Sequence, residues 1–366
     1  MTSRQWNWQQ ADWSDFKYQE SDFESALEKF QFKIGKLTGI HQHFKSDDEQ
    51  QLKIHFLSES AYTTSAIEGE YLDRESLKSS IARHFGLHTD ERRILPAEKG
   101  IAQLMLDVYE TFDSQLDHKT LYRWHSMIMR GKNNIEVISA YRRHQEPMQI
   151  ISGSYSNPKV HFVAPPSKII KQEMAQFISW YNQSQGKLPS LIRAGIAHWY
   201  FICIHPFEDG NGRLARAITE KTLSQDLEKP VLIALSQTII GARKKYYQAL
   251  QVNNFSNDIT LWLAYFCDLV LKAVDNSQEL FDFLIKKDKF FNTYKTSMNE
   301  RQAKVIRKVF SEGPQGFKGG LSAKKYIAIT KTSRATATRD LSGLVADNIL
   351  QKEGVGKGAR YYLKYN

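Results

Sequence analysis

Twelve residues, His205 to Arg216, read HPFEDGNGRLAR and concentrate the reactive groups of this chain. Gly210 and Gly212 leave the backbone without a Cβ where an anion would approach, and a helix opening at Gly212 or Arg213 would point its free N–H groups at that anion. Arg213 and Arg216 stand three apart on one helix face, so both can reach oxygens of one polyphosphate. Asp209 is the natural Mg2+ ligand, because that ion takes one or two carboxylates and completes its shell with phosphate oxygens and water. His205, with an ordinary pKa of about 6.5, can take a proton from an attacking hydroxyl near neutral pH. Singly, Asp209 would pass for a helix cap, Arg216 for a surface charge and His205 for a core histidine. Together they describe attack on a nucleotide phosphate.

The elements that must hold these groups are mostly helical. Ile192, Gly195, Ile196, Trp199, Tyr200 and Cys203 make Leu188 to Ile204 almost continuously apolar, which predicts a central buried helix running into the motif. A second helix leaves the motif and reaches about Leu227. Helical spacing also predicts helices from Phe23 to Phe44, Asp47 to Ile67, Pro96 to Phe112, Lys119 to Met129, after Pro166, and from Thr260 to Val274. His125, set among apolar neighbours, reads as a structural histidine. Trp6, Trp8, Trp13, Phe16 and Tyr18 read as an aromatic packing strap. Between Ser139 and Pro166 the period changes: Gln149 to Ile151 and Lys159 to Val163 flank the turn-rich SGSYSNP and predict a β-hairpin, whose edge can accept an extended peptide as a further strand.

The Asp47 to Ile67 helix ends in TTSAIEGE. Thr64 and Glu68 share a face, and Gly69 stands where a helix commonly stops. A carboxylate in the last turn faces the negative end of the helix dipole, which costs roughly 0.3–1 kcal/mol. A cation is expected to compensate it.

Composition sets the frame. The chain has 366 residues, 41% hydrophobic and 25% charged, which exceeds one ordinary core and disfavours disorder. Cys203 and Cys267 are too few for a disulfide framework and lack zinc spacing. No run approaches a membrane span, and the polar start has no signal-peptide core, so a cytoplasmic protein without a membrane partner is expected. Of the net charge of +10, the stretch 298–366 supplies fourteen Lys or Arg against five Asp or Glu.

HPFEDGNGRLAR resembles the signature of the Fic family, HPFx(D/E)GNGRxxR, at every specified position, and the resemblance extends from the helices near Pro96 to the one ending near Val274. It implies a mainly α fold, an all-α Fic-type core with a β-hairpin flap, and transfer of AMP from ATP onto a hydroxyl side chain of a protein. By that resemblance His205 would deprotonate the target Ser, Thr or Tyr, and Asp209 would hold Mg2+. Asn211, with the backbone of Gly210 and Gly212, would cradle the α-phosphate, while Arg213 would contact the β- and γ-phosphates and Phe207 would anchor the loop. The intact GNGR argues against the branch of the family that moves a phosphate. Ile150, Ile151, Val160, His161 and Phe162 would form the target-docking flap. Tyr246 and Tyr247 resemble a segment lying along the adenine, although Ala242 stands where relatives often have Asn. Thr64 to Gly69 resembles the inhibitory motif (S/T)xxxE(G/N), so Glu68 would occupy Arg216 and keep ATP from its productive pose. The same glutamate could instead orient water to remove AMP.

The basic C-terminal stretch predicts a small α+β winged helix-turn-helix: two helices joined near Thr330 to Thr332, then a hairpin with Gly354, Gly356 and Gly358 at its tip. Arg334, Thr336, Thr338 and Arg339 on the second helix, with Lys357 and Arg360 on the wing, suit DNA. Winged helices also dock proteins. The expected organisation is an N-terminal helical region at 1–92, a catalytic domain at 93–280, a helical connection at 281–297 and the winged helix at 298–366. Expected ligands are ATP and Mg2+, and expected partners are a target protein, which can be the chain itself, DNA, and a second copy in a homodimer. A competing reading makes the chain a DNA-binding regulator whose nucleotide site acts as a sensor.

Overall fold

A computed structural model describes residues 5–41, 46–87, 93–154, 157–294, 296–313 and 316–364. They form two units, Met1–Ser277 and Gln278–Asn366. In the first, helices α1 (Glu24–His41), α2 (Ser46–Ile67), α3 (Arg74–His84), α4 (Pro96–Glu110) and α5 (His118–Ile128) precede a hairpin of β1 (Gln149–Ser154) and β2 (Asn157–Val163). Then come α6 (Ile170–Gln183), α7 (Ser190–Ile204), α8 (Asn211–Asp226), α9 (Leu235–Gly241), α10 (Arg243–Val252) and α11 (Thr260–Tyr294).

The helix starts follow local chemistry. Asp73 and Asp117 accept the backbone N–H of Ser76 and Thr120 at 2.8 and 2.7 Å and so cap α3 and α5. Pro96, which has no N–H to leave unpaired, opens α4. Thirteen of the fifteen residues of α7 are buried, as its continuous apolarity requires, and α8 packs along it. Arg193 of α7 is fully buried and meets Asp226 at the end of α8 at 2.7 Å. Its guanidinium also donates to Tyr181 O, Gln225 Oε1 and Ser184 Oγ, which ties α6 and the far end of α8 to α7.

The aromatic strap docks as a packing segment. Trp6 stacks on Phe255 at 4.6 Å and meets the edge of Phe162 on β2, and the Trp8 indole donates to Val163 O at 2.6 Å. The strap thereby fixes the base of the hairpin. The β1–β2 register pairs Gln149 with Val163 and Ile150 with Phe162, then slips by one residue so that Ile151 faces Val160.

Several boundaries move from their sequence expectation. Helix α1 is described to His41, and residues 42–45 lie outside the described set. The hairpin strands run longer than expected, to Ser154 and from Asn157, because pairing continues through Gly153 and Pro158. Thr260 to Tyr294 is one helix, so residues 281–294 of the expected connection continue α11. Its Phe283 and Phe290 sit in the core of the second unit.

That second unit continues with α12 (Glu300–Ser311), α13 (Ala323–Thr330), α14 (Arg334–Ala346), β3 (Leu350–Glu353) and β4 (Arg360–Leu363). Val305, Ile306, Tyr326, Leu341, Leu344 and Ile349 fill its centre. Strands β3 and β4 pair antiparallel, and Leu321 bridges Tyr361 on the other edge of β4 through bonds of 2.8 and 2.9 Å. Ser322 and Ser333 cap α13 and α14. No helix among the described residues is long and apolar enough to cross a membrane.

Candidate active site

A cavity of about 750 Å³ opens at the head of α8, lined by His205, Asp209, Gly210, Asn211 and Gly212 from the motif. Glu68 reaches it from the end of α2, Ile150, Ile151, His161 and Phe162 from the hairpin, and Tyr246 and Tyr247 from α10. Its size suits a small-molecule ligand.

The loop between α7 and α8 is built by a few residues with separate tasks. His205 ends α7 in the left-handed region, φ 51° and ψ 59°, a conformation that costs an L residue about 1–2 kcal/mol. Arg142, itself buried, holds it there: its Nε donates to His205 O at 2.9 Å, its backbone N–H donates to Pro206 O, and its remaining nitrogens donate to Pro165 O and Ser167 Oγ. Sequence reading gave Arg142 no role. Phe207 is fully buried and stacks on His125 at 4.2 Å, so it does anchor the loop. His125 accepts the Ser139 N–H at Nδ1, while its Nε2 has no hydrogen-bond partner.

Asn211 is buried and its amide is engaged by the loop itself, accepting from Phe207 N at 3.0 Å and donating to Phe207 O at 2.7 Å. The Asn211 amide is therefore committed to holding the loop. Helix α8 opens at Asn211, one residue before the expected Gly212, with Gly210 at φ +85° as its cap. That conformation demands glycine, and a Cβ there would also have to displace the ends of the Ile128 and Met129 side chains, at 2.4 and 2.8 Å.

The His205 ring meets Ile202 O at 3.2 Å through Nδ1. That contact places the proton on Nδ1 and leaves Nε2 as the acceptor. Burial pushes the His205 pKa down to about 4, so the ring is neutral at pH 7. Burial works against ionisation of Asp209, but the hydrogen bond and charge of Lys132 and the charge of Arg213 outweigh it and hold the carboxyl below its ordinary value. Lys132 Nζ lies 2.8 Å from Asp209 Oδ2, and Arg213 Nη2 lies 3.3 Å from the same oxygen.

The two arginines are buried behind carboxylates. Arg216 donates to Thr64 Oγ1 at 2.7 Å, Thr64 O at 2.9 Å and Glu68 Oε1 at 2.8 Å. Burial lowers its pKa, but the charge and hydrogen bond of Glu68, together with Tyr246 and Tyr247, outweigh that and hold it above its ordinary value. This is the cation that the dipole argument at the end of α2 required. Glu68 Oε1 also sits where a Cβ on Gly212 would come within 2.3 Å of it, so its carboxylate rests on the head of α8. Arg213 Nη1 donates to Glu70 Oε2 at 2.7 Å. Arg213 Nε and Arg216 Nη1 are buried without a hydrogen-bond partner. Two orphaned donors beside a helix N-terminus are what a phosphate ligand would satisfy.

The residues fit magnesium in one way. Asp209 lines the cavity and its side chain is 38% exposed, but among the described residues no group of three or more His, Cys, Asp or Glu could form a protein-only cage. A single carboxylate suits an ion that takes its other ligands from phosphate and water.

On α10, Tyr246 is buried and its hydroxyl meets His198 Nε2 at 2.9 Å, while Tyr247 is 39% exposed and its hydroxyl lies 3.3 Å from Glu68 Oε2. In the hairpin, Ile151 and Val160 are exposed and Phe162 is buried. The Arg334, Thr338 and Arg339 side chains are exposed on α14, and Thr336 is half-buried with its hydroxyl at Ser333 Oγ. Arg360 donates to Ala359 O, and the Lys357 side chain lies outside the described set.

Comparison with known proteins agrees on the centre of this chain. Residues 115–223 match the Fic/DOC family, and residues 6–87 match a domain of unknown function, DUF4172. The chain is 29% identical over 148 residues to a protein adenylyltransferase Fic from Culex quinquefasciatus and 30% identical over 147 residues to one from Aedes aegypti. Those matches cover 39% and 38% of this chain and 28% of each relative. In fold it is similar to a Fic family protein from Desulfovibrio desulfuricans, with TM-score 0.53 and 21% identity, covering 92% of this chain and 95% of that one. It is also similar to a Fic-domain signalling protein from Bacteroides thetaiotaomicron, with TM-score 0.53 and 18% identity, over 69% and 98% of the two chains.

Proposed function

From the Fic/DOC domain at the centre of the chain, we propose that this protein transfers AMP from ATP to a Ser, Thr or Tyr hydroxyl of a protein and is held inactive by Glu68. The observation that carries the proposal is the position of the Glu68 carboxylate, bonded to Arg216 on the head of α8 in the cavity that His205 also lines.

His205 Nε2 takes the hydroxyl proton as the oxygen attacks the α-phosphorus. The bond from that phosphorus to the bridging oxygen breaks, and pyrophosphate leaves with the bonding electrons. Backbone N–H groups of residues 210–212 and the two guanidiniums offset the charge that develops. Asp209 would hold Mg2+, whose charge neutralises phosphate oxygens when the ion is bound. Exposed Ile151 and Val160 suit docking of an extended target segment on the hairpin. Tyr247, on the cavity wall, flanks the nucleobase in this reading.

Transfer of labelled nucleotide by the Glu68→Gly protein, absent in Glu68→Gly/His205→Ala, tests the proposal. If Glu68 instead serves AMP removal, modified target accumulates in Glu68→Gly without a faster initial rate of transfer.

We infer a second activity for the C-terminal unit, DNA binding. We read the order α12, Leu321, α13, α14, β3, β4 as a winged helix-turn-helix; its α14 presents Arg334, Thr338, Arg339 and Ser342 to solvent with no carboxylate among them. Its one acid, Asp340, is buried and bonded to Arg301, Tyr326 and Asn299. Such a face suits the backbone and major groove of duplex DNA. Fluorescence anisotropy with a labelled duplex at about 150 mM salt tests it, with a protein partner as the outcome if no duplex binds.

A further inference from the structure

We propose that Glu70 is a second inhibitory carboxylate, closing Arg213 as Glu68 closes Arg216, so that a ligand must displace it before distal phosphates can bind. The proposal rests on the nucleotide reading of this cavity. Glu70 lies just outside the TxxxEG pattern that marks Glu68.

The two carboxylates are fixed relative to each other by the end of one helix. Gly69, at φ +85°, donates its N–H to Ala66 O at 3.1 Å, and Glu70 donates its own to Ser65 O at 3.0 Å. The second of these bonds is the long closing bond of a glycine-terminated helix, so the chain around Gly69 is not free to place either acid elsewhere. Arg213 and Arg216 are about one turn apart on α8. Glu68 meets the second at 2.8 Å and Glu70 meets the first at 2.7 Å.

Lys132 joins the clamp. Its ammonium lies 2.8 Å from Asp209 Oδ2 and 3.8 Å from Glu70 Oε2, so one tethered cation spans both acids. Both guanidiniums are almost fully buried, whereas Glu68 and Asp209 line the cavity. A ligand in the cavity therefore meets carboxylates before it meets arginines. Each arginine nonetheless keeps one buried N–H without a partner, Nε of Arg213 and Nη1 of Arg216, and so retains capacity for an acceptor that the protein does not supply.

Displacement has a clear electrostatic logic. A guanidinium this buried is costly to strip of its nearer anion, and Asp209 at 3.3 Å is the only carboxylate left to Arg213 among the described residues once Glu70 goes, so Glu70 leaves most readily as another anion arrives. A monophosphate seated at the head of α8 need not reach Arg213 and leaves Glu70 in place. A triphosphate that reaches it must break the Glu70 pair, and its affinity is reduced by that amount. Removal of Glu68 alone then gives a partly released site.

Titration calorimetry of the full chain with ATP and with AMP, in Mg2+, tests this. Glu70→Gln is expected to bind ATP about fivefold more tightly, the scale of one partly exposed ion pair, and AMP unchanged within about twofold. The same difference is expected in a Glu68→Gly background, because the two acids hold different arginines. Equal ATP affinity in wild type and Glu70→Gln, or equal tightening for both nucleotides, overturns the proposal. If Glu70→Gln does not fold, Glu70→Ser makes the same comparison. If Glu68→Gly binds neither nucleotide, the nucleotide reading itself falls and takes the clamp with it; if it binds both and Glu70→Gln changes nothing, only the clamp falls.

Discussion

Glu68 Oε1 lies 2.8 Å from Arg216 Nη2 across 148 positions of sequence, and the pair spans the head of α8 where a phosphate would sit. Removing the carboxylate leaves a buried guanidinium with only neutral acceptors, Thr64 Oγ1 and Thr64 O. Glu68→Gly is therefore expected to lose about 1–3 kcal/mol of stability by urea denaturation. ATP at one hundred times its Kd should return about 2.7 kcal/mol, because it binds the folded chain only. A variant as stable as wild type without nucleotide contradicts the pairing.

Burial holds His125 and His205 at about 4 and His198 at about 3. In the unfolded chain they titrate near 6.5, so between about 6.5 and 4 the unfolded chain takes up protons that the folded chain refuses. Stability therefore falls as pH drops through that window, by up to about 1.4 kcal/mol per histidine per pH unit, and their contribution is flat above pH 7. Thermal unfolding between pH 8 and 4.5 should show this slope. His198→Phe should flatten part of it.

Asp226→Ala removes the anion from fully buried Arg193. A loss of about 3–5 kcal/mol is expected in denaturant titrations, since the guanidinium keeps only the neutral acceptors Tyr181 O, Gln225 Oε1 and Ser184 Oγ. Arg193→Met/Asp226→Leu, which removes both charges, should recover most of it.

Arg334→Ala and Arg339→Ala are each expected to reduce the slope of log affinity against log salt by about 1, if both contact DNA phosphates. Anisotropy titrations across a range of salt concentrations measure that slope. An unchanged slope in both variants excludes α14 as the phosphate-contacting element.

Much of the site was legible because its parts are contiguous. Spacing alone in His205 to Arg216 marked the loop and the arginines, with the helix start placed one residue late, and the continuous apolarity of Leu188 to Ile204 marked the buried helix behind them. The pairs Arg213–Glu70 and Lys132–Asp209 were not legible, since they join residues 143 and 77 apart and neither Glu70 nor Lys132 belongs to a periodic pattern. Arg142 was missed for the same reason, and only its burial beside the backbone of His205 reveals its task. The break at Ala242, which divides α9 from α10, has no proline to announce it. The continuity of α11 was hidden because residues 275–294 mix charge with Phe, and Phe283 and Phe290 among them serve the core of the second unit.

The most direct test of the central claim is transfer of labelled nucleotide from ATP by wild type, Glu68→Gly and Glu68→Gly/His205→Ala, measured on the chain itself and on lysate proteins. The account predicts at least about tenfold more incorporation in Glu68→Gly than in wild type, the scale of losing a buried charge-assisted hydrogen bond, and none in the double variant. No incorporation by Glu68→Gly, or incorporation that persists without His205, would contradict it.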